Sequence, residues 1–199
     1  MARRSDHSRE EIKELALNAT EEIVAEAGFQ ALSARKVASA IGYTVGTIYL
    51  VFKNLDDLIM QVNARTLETL FKEVSAHQTK DNQKENLVQF GSAYYNFAQK
   101  NPHLWSLIFE HHVVDGGDIN PDLGERIQTL FDLVESEIGS LDVKKEKTEI
   151  HAASLALWSS VHGITILAIT DKLFMADGIA PQEMIDQLIN NFLTGYCAK

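Results

Sequence analysis

The stretch Leu32–Phe52, LSARKVASAIGYTVGTIYLVF, reads as two short helices joined by a tight turn. Ser33 stands where an N-cap belongs, with a hydroxyl able to accept from the free N–H groups of a helix predicted from about Ala34 to Ile41. Val37, Ala38 and Ile41 recur at helical spacing and give that helix one apolar face. Gly42 then stops it, because glycine alone enters a left-handed turn without steric cost. Thr44 caps the second helix, and Ile48 and Phe52, four apart, pin it against the same small core. Thr44, Val45, Thr47, Tyr49 and Lys53 are left to face outward. Hydroxyls, one methyl-bearing side chain, a phenol and an ammonium suit a helix lying in a DNA major groove. There the hydroxyls meet phosphates or base edges, and Val45 is placed to touch a thymine methyl.

Working outward, Ser8-Arg9-Glu10-Glu11 is a capping-box pattern. The helix behind it carries Ile12, Leu15, Ala16, Ala19, Ile23 and Ala27 at steady spacing and ends at Gly28. Downstream, Asn54-Leu55-Asp56-Asp57 opens a fourth helix with a cap and two acids in its first turn. The segment GYTVGTIYLVFKNLDDL, after Ala27-Gly28-Phe29 and Leu32-Ser33, resembles the recognition helix and flanks of TetR-family transcriptional regulators over about the first 60 residues. Two positions depart from that pattern. Val51 stands where a His or Tyr is common, and Leu55 where a lysine often opens the next helix and holds a phosphate, which leaves Lys53 as the nearest cation.

The resemblance implies an all-α protein. Residues 1–55 would form a three-helix helix-turn-helix DNA-binding domain, and 56–199 a helical effector-binding and dimerisation domain, with helix 56–76 linking the two. The implied DNA-contacting set is Arg35, Thr44, Val45, Gly46, Thr47, Tyr49 and Lys53, and the implied partner is a double-stranded operator. Arg3 and Arg4 would form a mobile arm able to reach a phosphate or the minor groove.

The net charge of −10 is unevenly spread. Residues 28–55 hold Arg35, Lys36 and Lys53 and no acid, while 56–199 carry eleven basic against twenty-one acidic residues. Phosphate attraction is screened over about 10 Å, so the local patch governs, and the acidic bulk keeps the basic end turned to DNA. One cysteine, Cys197, excludes an intrachain disulfide framework and fits a reducing cytoplasm. No unbroken run of 18 apolar residues predicts a membrane span, and no apolar segment behind the N-terminal basic residues marks a secretory signal.

Beyond a polar interruption at His77–Asn86, amphipathic helices are predicted over Leu87–Ala98, His103–His111 and Leu123–Ile138, with a loop at Asp115–Asp118. From Ile150 to about Phe174 the pattern is apolar nearly all round, so such a helix must be covered on every side. A last helix follows over Pro181–Tyr196, and the solvated start Lys144–Lys147 carries no predicted function. The excess apolar surface of the last two helices points to a homodimer seam through Ile166, Met184, Leu188 and Phe192, with Gly163 and Ala168 allowing close approach. Trp158 to Gly163, WSSVHG, is similar to a Trp-x-x-x-His-Gly element of some TetR-family members.

A pocket for a small, largely apolar effector has candidate linings in Tyr94, Phe97, Trp105, Phe109, Phe131 and Trp158, with His112 and His162 as polar handles, although aromatics at helical spacing are more often core. Glu110-His111-His112 lacks metal-ligand spacing, so neither metal nor cofactor is expected. No phosphate loop or nucleophile elbow suggests an enzyme. The competing class is a helical dimeric interaction protein that does not bind DNA.

Overall fold

The computed structural model describes residues 7–76, 78–79, 82–112, 119–173 and 178–198. Arg3, Arg4, the loop Asp115–Asp118 and Phe174 lie outside them. The described residues form nine α-helices and no strand, the all-α fold expected.

α1 (Arg9–Ala27) opens on the anticipated capping box: Glu11 N–H donates to Ser8 Oγ at 3.2 Å, and Ser8 N–H donates to the Glu11 carboxylate at 2.6 Å. Those hydrogen bonds, the backbone one first, hold the Glu11 carboxyl below its usual range. Gly28, at φ +72°, ends the helix, and a single 3-10 turn, Phe29–Ala31, leads on. α2 (Ala34–Ala40) starts at Ser33, whose Oγ accepts from Lys36 N–H, and Gly42 reverses the chain at φ +74°. α3 (Val45–Val51) starts at Thr44, whose Oγ1 accepts from Thr47 N–H at 3.3 Å. α4 (Leu55–Ser75) begins with Asp57 N–H donating to Asn54 Oδ1 at 2.8 Å and Lys53 N–H donating to Asp57 Oδ2 at 2.9 Å.

α5 (Gln83–Lys100) starts earlier than its hydrophobic pattern indicated. The Asn82 carboxamide caps it, and Asn86, expected in the polar interruption, is buried with its amide donating to the Thr79 carbonyl at 2.7 Å. α6 (Pro102–Glu110), α7 (Pro121–Leu141), α8 (Lys147–Ile169) and α9 (Pro181–Cys197) follow. α8 stops short of the predicted Phe174, at the Thr170 cap with Asp171 at φ +54°. Lys145, assigned no role from sequence, lies over the Tyr196 ring at 4.7 Å.

The chain packs as two units, and their division differs from a cut at residue 55. Residues 1–67 and 101–125 make the first, 68–100 and 126–199 the second. In the first, Ala16, Leu17 and Val24 of α1, Val37 and Ala38 of α2, and Ile48 of α3 join Phe52, Leu58, Ile59 and Val62 in one core. Ile48 and Phe52, 0% and 2% exposed, each contribute roughly 1.5–3 kcal/mol by burial. Leu107 of α6 belongs to the same core, although sequence alone placed α6 in the second domain. Arg65 of α4 donates to Asn18 at 2.9 Å and pairs with Glu14 and Glu21, tying α4 to α1. Burial nevertheless raises the Glu21 carboxyl above its usual range, the arginine opposing it.

In the second unit α9 packs on α5 and α8. Gly91 sets the α5–α9 approach, since a Cβ there would sit 2.6 Å from Ile189 Cδ1 and 3.0 Å from Ile185 Cγ2. α4 was expected to be the continuous element shared by head and C-terminal domain. α7 also runs from one unit into the other, its first five residues in the first. Glu68 of α4 and Arg126 of α7, both in the second unit, form an ion pair at 3.7 Å.

Candidate nucleic-acid interface

With Ile48 and Phe52 committed inward, the geometry of a helix fixes what α3 presents. Gly46, Tyr49 and Leu50 fall at offsets of three and four and share one exposed face, Tyr49 48% and Leu50 66% exposed, and Lys53 is exposed just beyond the extended Phe52 cap that ends the helix. Arg35 is exposed on α2, and Thr44 is exposed at the cap. Thr47 is half-buried, its Oγ1 3.1 Å from Thr44 Oγ1. Val45 departs from the outward position expected: it is half-buried and packs against the core of the first unit. Gly46 has no reason within the fold to lack a side chain, because a Cβ would meet only Thr44 Oγ1 at 3.7 Å. Its bare backbone leaves room for another molecule to come close.

Sequence reading missed what holds this face. His7 Nδ1 lies 2.7 Å from Tyr43 OH just before α3, and the Arg9 guanidinium donates to the Leu50 carbonyl in the last turn of α3. The residues at the start of α1 thus grip α3 near both ends, from 36 and 41 positions away, a separation no local pattern encodes. His111, weighed only as a metal ligand, has a buried side chain with Nε2 2.8 Å from Asp56 Oδ1 at the start of α4. Asn120 donates to Asp57 Oδ1 at 3.4 Å, so two residues after α6 dock on the acids that open α4. Among the described residues no three His, Cys, Asp or Glu side chains gather to hold a metal.

The proposed pocket residues fall into two groups. Trp105 and Phe109, ring centroids 4.9 Å apart, belong to the first unit together with His112, which is exposed with Nδ1 2.9 Å from the Glu110 carbonyl. In the second unit Phe131 meets Trp158 edge-on at 5.5 Å, and Trp158 stacks on His162 at 5.2 Å. His162 Nδ1 lies 2.8 Å from Tyr94 OH, with Phe97 buried in the same unit. Burial pushes the His162 pKa below the usual imidazole value, which favours the neutral ring at pH 7.

On α9, Ile185, Ile189 and Leu193 are buried, while Met184, Leu188 and Phe192 are half-exposed, the last stacked on Tyr196 at 6.0 Å. Ile166 of α8 is half-buried, and Leu155 and Leu167 are 39% and 41% exposed. By length and composition α8 is long and apolar enough to cross a membrane, although no unbroken run of 18 apolar residues marks it. A helix covered by protein has the same length and composition. Gly163 meets nothing within 4 Å in its own chain.

A model of the bacterial regulatory proteins of the tetR family matches residues 16–62, and one of the tetracyclin repressor-like C-terminal domain matches residues 87–192. No curated protein matches the chain by sequence. Solved structures share the fold at low identity. A protein of unknown function from Rhodococcus sp. RHA1 is 16% identical with a TM-score of 0.77, each chain covered to 98%. A tetR-family transcriptional regulator from Streptomyces coelicolor is 16% identical with a TM-score of 0.70, covering 96% of this chain and 84% of its own. BioQ, solved with its natural double-stranded DNA operator, is 14% identical with a TM-score of 0.66, covering 94% of this chain and 98% of its own.

Proposed function

The chain belongs to the TetR family of bacterial transcriptional regulators, and from that premise we propose a homodimeric repressor released from a palindromic operator by a small, largely apolar effector. The observation that carries the DNA half is the face Gly46–Tyr49–Leu50, exposed on a short helix whose other side is locked in the core, with Lys53 exposed just past the helix end. Tyr49 and Lys53 supply phosphate donors, while Thr44, Thr47 and Arg35 border the groove. The structural likeness to BioQ, a protein solved on an operator, supports the same use here.

Two heads on one duplex need a seam. The half-exposed apolar side chains of α8 and α9 are suited to it, setting half-sites roughly 34–36 Å apart or a related spacing. The effector is assigned to the second unit at the Phe131–Trp158–His162–Tyr94 series, an aromatic wall ending in a hydroxyl–imidazole pair. Its binding acts through α4 and α7, the helices whose residues belong to both units. Coupling of this kind is typically worth 1–3 kcal/mol, about 5- to 150-fold in DNA affinity, and is reciprocal.

Fluorescence anisotropy on duplexes from the gene's own upstream region tests the DNA half. The double variant Tyr49→Ala, Lys53→Ala should bind about tenfold more weakly and show a salt slope shallower by about 1. A folded double variant with unchanged affinity would count against this face.

A further inference from the structure

Leu50 is the largest apolar side chain that α3 leaves bare, 66% exposed between Tyr49 and Lys53. A single exposed leucine is ordinary on a protein surface, but the position of this one is constrained. Turning α3 to bury it would expose Ile48 and Phe52, now 0% and 2% exposed. Val51 beside it is packed on the core, and the Leu50 carbonyl is held by Arg9. The isobutyl group is therefore fixed on the exposed face, next to the bare backbone of Gly46 one turn earlier.

It has no donor or acceptor, so it gains nothing from a phosphate or from the polar edge of a base. The apolar feature a base pair offers in the major groove is the thymine C5-methyl group. Val45, the residue sequence alone would choose for that methyl, has its side chain against the core instead. We infer that Leu50 reads a thymine methyl in each half-site and so sets sequence preference there, an inference that rests on the DNA-binding role proposed above.

The test begins by enriching a random duplex pool on the full-length wild-type protein, then replaces each thymidine of the winning sequence singly by deoxyuridine, which removes only the methyl. One position per half-site should lose about fourfold in affinity, the worth of one buried methyl group. Leu50→Ala should bind the thymidine duplex correspondingly more weakly and no longer distinguish the two bases at that position, with unchanged thermal stability because the side chain is exposed. The inference is overturned if no deoxyuridine weakens binding, if Leu50→Ala keeps the same methyl penalty, or if Val45→Ala abolishes it instead. Failure of the wild type to enrich any sequence would overturn the DNA-binding role itself, a result distinct from these three.

Discussion

α3 and α8 are built on opposite plans. α3 has seven residues, a hydroxyl cap, a buried side fixed by Ile48 and an exposed side that nothing in the fold requires. α8 has 23 residues, buries only Ser154, Leu157, Val161 and Thr165 fully, and past its polar first turn carries mostly apolar side chains around the rest of its circumference, Ser159 and Ser160 interrupting them. Where a helix shows polar or bare residues that its own core does not demand, the cause lies in what it meets outside. Where it is apolar all round, core, seam and pocket call for the same residues and cannot be told apart by type.

The largest expected effect tests whether the surplus apolar surface is a seam. Leu188→Asp puts a charge at a half-exposed position of α9, on the edge of the face that buries Ile185 and Ile189. Light scattering at micromolar concentration should then give the monomer mass, and operator affinity should fall by more than about 100-fold, since each head alone makes few contacts. A wild-type monomer at that concentration would place the seam elsewhere or nowhere.

Much of the first unit was legible because its signals are local: Ser8, Ser33 and Thr44 cap as read, α1 ends at Gly28, Gly42 adopts the positive φ foreseen, and Ile48 and Phe52 go inside. What escaped is long-range. Leu107 reaches the head core from α6, His111 reaches Asp56 from 55 positions away, and Arg9 holds Leu50. Val45 misled because an apolar residue at the first position of a helix can turn either way, and only the packed core decides. In the second unit, Trp105 and Trp158 have the same sequence signature and fall in different units.

Two helical glycines sharpen the contrast at a smaller scale. Gly91→Val should cost about 1–3 kcal/mol by overpacking, because Ile185 and Ile189 are already buried against that position. Gly163→Ala has open space within the chain, where alanine normally gains up to about 1 kcal/mol in a helix. If a partner's helix crosses at Gly163, as the sequence pattern of the seam suggests, the sign reverses and the melting temperature falls. A rise at Gly163 would leave solvent over that site and remove it from the seam.

The smallest effect concerns His162, where α8 turns a titratable ring toward Tyr94 and Trp158. Burial lowers its folded pKa below the unfolded imidazole value of about 6.5. The native state then binds fewer protons than the unfolded state once the pH drops below that value. Stability should therefore fall as pH is lowered from about 6.5 toward the depressed folded value, and above 6.5 the group should add no slope. Tyr94 OH lies 2.8 Å from His162 Nδ1, and a ring protonated on both nitrogens can only donate there, so the same titration bears on the pair. Urea unfolding of wild type and His162→Gln between pH 7 and pH 5 isolates this, because the other histidines are common to both proteins. The variant's curve should be the flatter of the two. Parallel curves would mean that His162 is as free to take a proton in the folded chain as in the unfolded one, and the aromatic wall would then be open to water.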